Sequence, residues 1–197
     1  MKLSNNPSEQ QYFNGYVNRV SKSLEIADWD AITNLSKALE KRWLEGKKVF
    51  ICGNGGSAGN AVHLANDFLY GIAKRTGGGL NINALSSNIS VITCLANDVG
   101  YDSIYSEQLA VMGNHDDLLI VLSGSGNSMN VVNALKKARK MKIESCAIVG
   151  FNGGKCKQLC DIPIHFPVND MQIAEDMQMM VGHMIMQFLS DKSLNVK

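Results

Sequence analysis

Two short runs of glycine and serine, with a few imidazoles and carboxylates, are where this chain could do chemistry. Gly53-Asn54-Gly55-Gly56-Ser57 and Ser123-Gly124-Ser125-Gly126-Asn127-Ser128 each follow a short apolar run and lead into a helical pattern. A helix start presents unpaired N–H groups and about half a positive charge, which suits a phosphate. Glycine lets backbone approach an anion, and serine hydroxyls add donors. Plain strand-to-helix turns capped by serine would use the same residues; two such loops at equivalent strand ends favour anion binding. Neither contains Gly-Lys-Ser/Thr, so a triphosphate is not expected. Gly53-x-Gly55-x-x-Ala58 matches a dinucleotide fingerprint in spacing, yet the next strand ends in Ser86-Ser87-Asn88, with no acidic residue for a ribose hydroxyl. A single phosphate on a small polar molecule fits better.

Behind the first loop, His63 and Asp67 stand four apart on a predicted helix and share a face. The closing helix carries Glu175 and His183, with Asp176 beside the former. Such groups serve as acids and bases, and also as ligands for zinc or a similar cation. Glu175 and His183 are eight residues apart, about 12 Å along a regular helix. Either the helix starts irregularly, or the two serve different points of a site, or they meet across a subunit boundary. His115, in the polar turn Gly113–Asp117, is expected to be solvated, and His165, in a strand, to be structural. Met177, Met180 and Met184 read as core packing.

The elements that must hold these groups follow from periodicity. Residues 8–27 and 30–45 are predicted helices, the first with Tyr12, Tyr16, Val17, Val20 and Leu24 on one stripe, the second ending at Gly46. This pair must bury its apolar face, and a partner subunit is a candidate. From Lys48 onward short apolar runs alternate with helices: strands at 48–52, 80–85, 118–122, 145–149 and 162–166, helices at 58–73, 89–97, 103–112, 128–141, 153–159 and 171–190. That alternation predicts an α/β fold with a parallel sheet covered on both faces. Ligands then bind beyond the carboxyl ends of the strands.

Composition narrows the setting. The 197 residues suit one domain without a linker or repeat, 45% hydrophobic and 19% charged. A net charge of +1 offers no field for nucleic acid or anionic lipid. The start, Met1 to Gln11, is polar, so no secretion signal is expected, and no run is apolar enough to span a membrane. Five cysteines without CxxC pairing, with Cys52, Cys94 and Cys146 in apolar runs, indicate buried or reduced thiols in the cytoplasm.

The runs ICGNGGSAGNAVHLANDF, ITCLANDVGYDSIYSEQL and LLIVLSGSGNSMNVVNAL resemble the sugar isomerase (SIS) domain family, and within it the sedoheptulose 7-phosphate (phosphoheptose) isomerases. The likeness covers almost the whole chain. It implies a flavodoxin-like three-layer sandwich with a five-stranded parallel sheet and N-terminal helices. Residues 1–197 would form a single SIS domain, with 1–46 as the helical pair for oligomer packing and 47–197 as the core. It implies a cytoplasmic homotetramer with sites at subunit interfaces, and aldose–ketose isomerisation through an enediol, supplying heptose for lipopolysaccharide or capsule. Carried over by position, Ser57, Ser123, Ser125 and Ser128 hold phosphate, together with Gly55, Gly56 and Gly124 of the same loops. Asn54, Asp98 and Glu175 face the sugar. His63 matches the family's helical histidine and His183 its catalytic one, with Asp67 or Glu175 as the base. One zinc per subunit would lie between His63, Asp67, Glu175 and His183.

This chain departs from the family pattern at several positions. Asp67 stands where a glutamate is usual, Glu175 where a glutamine is, Gly71 for a positively charged residue, Gly124 for a threonine and Gln172 for an aspartate. The first two changes keep two oxygen ligands and add negative charge. The family also contains non-catalytic members, sugar-phosphate-sensing regulators and a protein that binds the DnaA initiator. Both histidines together with carboxylates at 67 and 175 favour an enzyme here.

Overall fold

The alternation of apolar runs and helices builds one five-stranded sheet in the computed structural model, which describes residues 8–194. Most of the polar start, and the last three residues, lie outside the described residues. Strands β1 (Lys48–Gly53), β2 (Asn81–Ala84), β3 (Leu118–Ser123), β4 (Glu144–Val149) and β5 (Ile162–His165) lie in the order β2-β1-β3-β4-β5. Every pairing is parallel, as the sequence predicts. A sheet covered on both faces needs apolar side chains on both. In β1, Val49 and Ile51 enter one core, and Phe50 and Cys52 the other.

The first core is closed by α2 (Trp29–Glu45), α3 (Gly56–Asn66) and α9 (Met171–Leu194), through Leu35, Leu39, Leu64, Met177 and Val181. The second is closed by α6 (Ile104–Met112), α7 (Met129–Met141) and α8 (Gly154–Leu159), through Leu109, Leu135 and Cys156. The N-terminal pair therefore belongs to the same packed body: α2 shares a core with β1. Helix α1 (Glu9–Glu25) begins at a capping box between Ser8 and Gln11, and α2 ends at Gly46 in the left-handed conformation, φ 64°.

The predicted stripe of α1 divides. Tyr16, Val20 and Leu24 pack on the core, whereas Tyr12 and Val17, with Phe13, stay exposed. Two polar contacts tie α1 to the start of α9. The Tyr16 hydroxyl donates to Asp176 Oδ2 at 2.5 Å, and Arg19 pairs with Asp170 at 3.4 Å. Donation to the Asp176 carboxylate, with some burial, pushes the Tyr16 hydroxyl up to about 12. The folded protein thus keeps this proton between pH 10 and about 12 while the unfolded chain, at about 10, loses it. The resulting stability is complete below pH 10 and is lost as pH rises towards 12. Tyr16→Phe is therefore expected to lose less stability than the wild type between pH 9 and pH 11.5 in urea titrations. Equal losses would remove the Asp176 contact as the cause.

The predicted helix 58–73 is interrupted. After α3 comes a π turn, Asp67–Gly71, and then α4 (Ile72–Thr76). The Leu80 N–H donates to the Phe68 carbonyl at 3.0 Å, and the Ile72 N–H turns back one residue further, to Asp67 O. The segment entering β2 thus takes the acceptor that a regular helix would use.

All five cysteines are free. The expectation of burial fails at Cys94, whose Sγ lies exposed 3.4 Å from Asp98 Oδ2. It sits on α5 (Ile89–Asp98), which buries none of its residues, so an apolar sequence there does not mean an interior position. His115 is exposed beside Asp116, and His165 is held between Phe151 O and Lys157 Nζ, both at 3.0 Å. Met177 is buried and Met180 packs on the core, but Met184 is 37% exposed. Among the described residues no helix is long and apolar enough to cross a membrane.

Candidate active site

The chain runs from β1 outward to β2, then returns past β1 to β3, so the order reverses between β1 and β3, where open parallel sheets bind ligands. Gly53 at the tip of β1 is paired with Leu122 at the tip of β3. The two glycine-rich loops are therefore neighbours, and they are braced together. Asn54 Nδ2 donates to Asn130 Oδ1 at 2.9 Å, and Asn130 Nδ2 returns a bond to Asn54 Oδ1 at 2.8 Å. Tyr101 donates to the same Oδ1 at 3.0 Å, and Tyr105 to the Gly53 carbonyl. Asn54, expected to touch the sugar, has its amide engaged in this brace. Asn130, Tyr101 and Tyr105 carry no sequence signal of that role, because it depends on contacts 47 to 76 residues apart.

Hydrogen bonds within the serine loop and to its neighbour fix its shape. Ser123 Oγ accepts from the Gly126 N–H at 3.0 Å and Ser125 Oγ from the Asn127 N–H at 3.3 Å. The loop after β4 backs it: the Gly150 N–H donates to Gly124 O and the Cys156 N–H to Gly126 O, both at 2.9 Å, and the Lys155 N–H to Asn127 Oδ1 at 3.2 Å. Ser128 caps α7 without a side-chain cap bond, which leaves its hydroxyl to a ligand. The backing loop was missed from sequence, although its glycines, Gly150, Gly153 and Gly154, were a signal of close backbone approach. Gly126 has φ 67°, and a β-carbon there would fall 2.7 Å from the Gly153 carbonyl carbon. Gly126→Ala is expected to cost about 2–4 kcal/mol, adding left-handed strain to an unyielding backbone clash. An unchanged urea midpoint would show that the loop relaxes freely.

Helices α3 and α9 lie side by side and run in the same direction, as matched contacts show. A β-carbon on Gly56 would fall 2.5 Å from the Glu175 carboxyl carbon. Asn60 Nδ2 donates to Glu175 O at 3.0 Å and to Gln178 Oε1 at 3.1 Å. A β-carbon on Gly182 would fall 2.7 Å from Leu64 Cδ1. Beyond these, His63 Nε2 and His183 Nε2 each approach Asp67 Oδ2, at 3.2 and 3.3 Å, and one another at 3.1 Å. The separation of eight positions between Glu175 and His183 is thereby explained. Glu175 stands at the glycine-loop end of the α3–α9 pair and His183 about two turns further along it.

Three of the four expected ligands therefore converge and Glu175 does not. The ligand atoms of His63, Asp67 and His183 lie within 4.8 Å of one another; among the described residues no other group of three or more does so. Two imidazole nitrogens and a carboxylate oxygen form a donor set of the catalytic zinc type. Their separations of 3.1, 3.2 and 3.3 Å compare with edges of about 3.3 Å for a tetrahedron with bonds of about 2.0–2.1 Å. The residues present fit the ion. Gly71 leaves one flank of Asp67 open: a β-carbon there would sit 3.8 Å from Oδ1. Asp98 ends α5, exposed, with Cys94 and Asn97 donating to its carboxylate. Ser57 and Ser123 are almost buried in their loops, and Ser125 and Ser128 half-buried.

A flavodoxin-like sheet with paired glycine and serine loops at its switch point defines a class, and comparison with known proteins agrees. The profile of the SIS domain matches residues 11–150, and the chain belongs to that family. Its relatives include a protein named phosphoheptose isomerase from Aliarcobacter butzleri, 36% identical over 173 residues, covering 88% of this chain and 90% of the relative. The structure of a phosphoheptose isomerase from Francisella tularensis superposes with a TM-score of 0.85 at 26% identity, covering 92% of this chain and 96% of that one. The phosphoheptose isomerase from Neisseria gonorrhoeae gives 0.82 at 26% identity, over 93% and 96%.

Proposed function

We infer that the chain is a phosphosugar isomerase, and that it converts sedoheptulose 7-phosphate to D-glycero-D-manno-heptose 7-phosphate. The observation that carries this reading is the meeting of His63, Asp67 and His183 on the helix pair, α3 and α9, that starts at the glycine loop. An acid–base cluster in reach of a phosphate loop suits a proton moved between adjacent carbons of an open-chain sugar. The relatives' names supply the heptose, and the family resemblance supplies its use, cytoplasmic synthesis of heptose for lipopolysaccharide or capsule.

The phosphate is held by the serine loop, through Ser125 and Ser128 and backbone N–H groups at the start of α7, with Ser57 adding from the glycine loop. His183 takes the proton from the hydroxymethyl carbon beside the ketone, the carbonyl oxygen is protonated, and the enediol forms. Return of the proton to the former carbonyl carbon, with loss of the proton from the hydroxyl on the first carbon to balance the one gained by the carbonyl oxygen, gives the aldose. Asp67, shared by both imidazoles, orients them. Glu175, away from that cluster and against Gly56, can accept from sugar hydroxyls there, and Asp98, exposed at the end of α5, offers the sugar a second carboxylate. Zinc, when bound at His63, Asp67 and His183, would act as a Lewis acid at the carbonyl; His183 Nε2 would then be a ligand, and Glu175, outside the cluster, would be the carboxylate left to take the proton.

The exposed apolar side chains of α1 and the uncovered α5 support assembly as a homotetramer with sites at subunit interfaces. The test is incubation of zinc-replete protein with a panel of ketose and aldose phosphates, followed by NMR. Conversion of sedoheptulose 7-phosphate is the expected result. Binding of sugars with no conversion of any would replace the enzyme with a sensor.

A further inference from the structure

Helix α9 opens with Met171 and presents Glu175 one turn later on the same face, and each rests on a glycine of a different loop. Glu175 lies on Gly56 and Met171 on Gly124. A β-carbon at Gly124 would fall 3.1 Å from Met171 Cε and nearer still to Sδ, against ordinary contacts of about 3.5–4.0 Å. Met171 therefore occupies the space that the missing side chain leaves. Phe151 joins it, its Cε2 3.8 Å from the same point. Phe151 is held with φ 47°, a left-handed conformation uncommon for a bulky residue. Its N–H donates to Val168 O at 3.0 Å. Thioether and ring make an apolar flank on a loop whose own side chains are Ser123, Ser125, Asn127 and Ser128. The thioether has no donor and no charge to offer a phosphate, so its contribution is shape.

The structure assigns Met171 as a specificity-determining residue: seated on Gly124, it walls the serine loop so that a phosphate on a CH2 carbon is admitted and one on a branched carbon is refused. This rests on the reading that the serine loop holds the phosphate. The ester carbon is the first atom of the substrate outside the loop, so a wall beside the loop meets whatever that carbon bears. Methionine is flexible, and Met171 is 40% exposed, so it yields in part. The discrimination expected is about tenfold, the scale of one or two apolar contacts.

The probes are inorganic phosphate, glycerol 3-phosphate (ester on CH2) and glycerol 2-phosphate (ester on a branched carbon), titrated by NMR. They are applied to the wild type, Met171→Ala, Gly124→Ala and the double variant. Gly124 lies outside the left-handed region, so alanine fits its backbone and displaces only a flexible side chain. The wild type should prefer glycerol 3-phosphate about tenfold, and Met171→Ala should reduce that preference to about twofold or less. Inorganic phosphate should bind the wild type and Met171→Ala within a factor of about two, since it has no carbon to meet the wall. Gly124→Ala should change the preference only while Met171 is present, a non-additivity that general loosening of the loop would not give. An undiminished preference in Met171→Ala, or equal effects of Gly124→Ala in both backgrounds, overturns the assignment. Phosphate bound with the expected preferences but no sugar isomerised would sink the proposed reaction alone. No phosphate binding by the wild type would sink both.

Discussion

Replacing His183 by alanine is expected to lower kcat for sugar isomerisation by about 10²–10⁴-fold, the usual contribution of a positioned acid–base group. The His183 side chain is 41% exposed, so its removal leaves no deep cavity, and the far-UV spectrum and unfolding midpoint should stay near those of the wild type. KM should change much less than kcat, because the serine loop that holds the phosphate belongs to β3 and α7, not to α9. Turnover of His183→Ala within about threefold of the wild type would remove the histidine from the proton transfer.

The second large effect is expected at Asp67. Its Oδ2 is the one oxygen that both imidazoles approach, at 3.2 and 3.3 Å. Asp67→Asn keeps the shape, removes the negative charge that offsets a divalent ion, and can turn an N–H towards the two ring nitrogens. Zinc affinity, measured by competition with a chromogenic chelator, should fall by at least about 10–100-fold. Glu175→Gln, made alongside, should leave it unchanged, because Glu175 lies against Gly56 and outside the cluster. Equal retention of zinc by wild type and Asp67→Asn, or its loss in Glu175→Gln, would redraw the ligand set. Both measurements are made without substrate, so they judge the metal site whatever the reaction proves to be.

The local parts of the fold were legible because their causes are local. A period of 3.6 and short continuous apolar runs placed the five strands and, α4 apart, the helices of the described residues within a few residues, and glycine at 46 marked the end of α2. Where an expectation failed, a distant contact had intervened. The helix 58–73 takes a π turn because the Leu80 N–H claims the Phe68 carbonyl. Cys94 is exposed because its apolar helix lies where nothing in the chain covers it.

The candidate site divides along the same line. The glycine and serine loops and the His63–Asp67 pair lie within single turns or one helical face, so residue order alone specified them. The place of His183 came from packing, across 120 residues. Gly182 lets Leu64 approach and Gly56 makes room for Glu175, which sets α9 beside α3 and parallel to it. That direction separates Glu175 from the imidazoles by two turns of helix. The brace between Asn54 and Asn130, the backing of the serine loop by Gly150–Gly154, and the seat of Met171 on Gly124 likewise arose only in three dimensions. Side-chain periodicity records which way a residue faces on its own element; which element it faces depends on how the helices and the sheet exclude one another's volume.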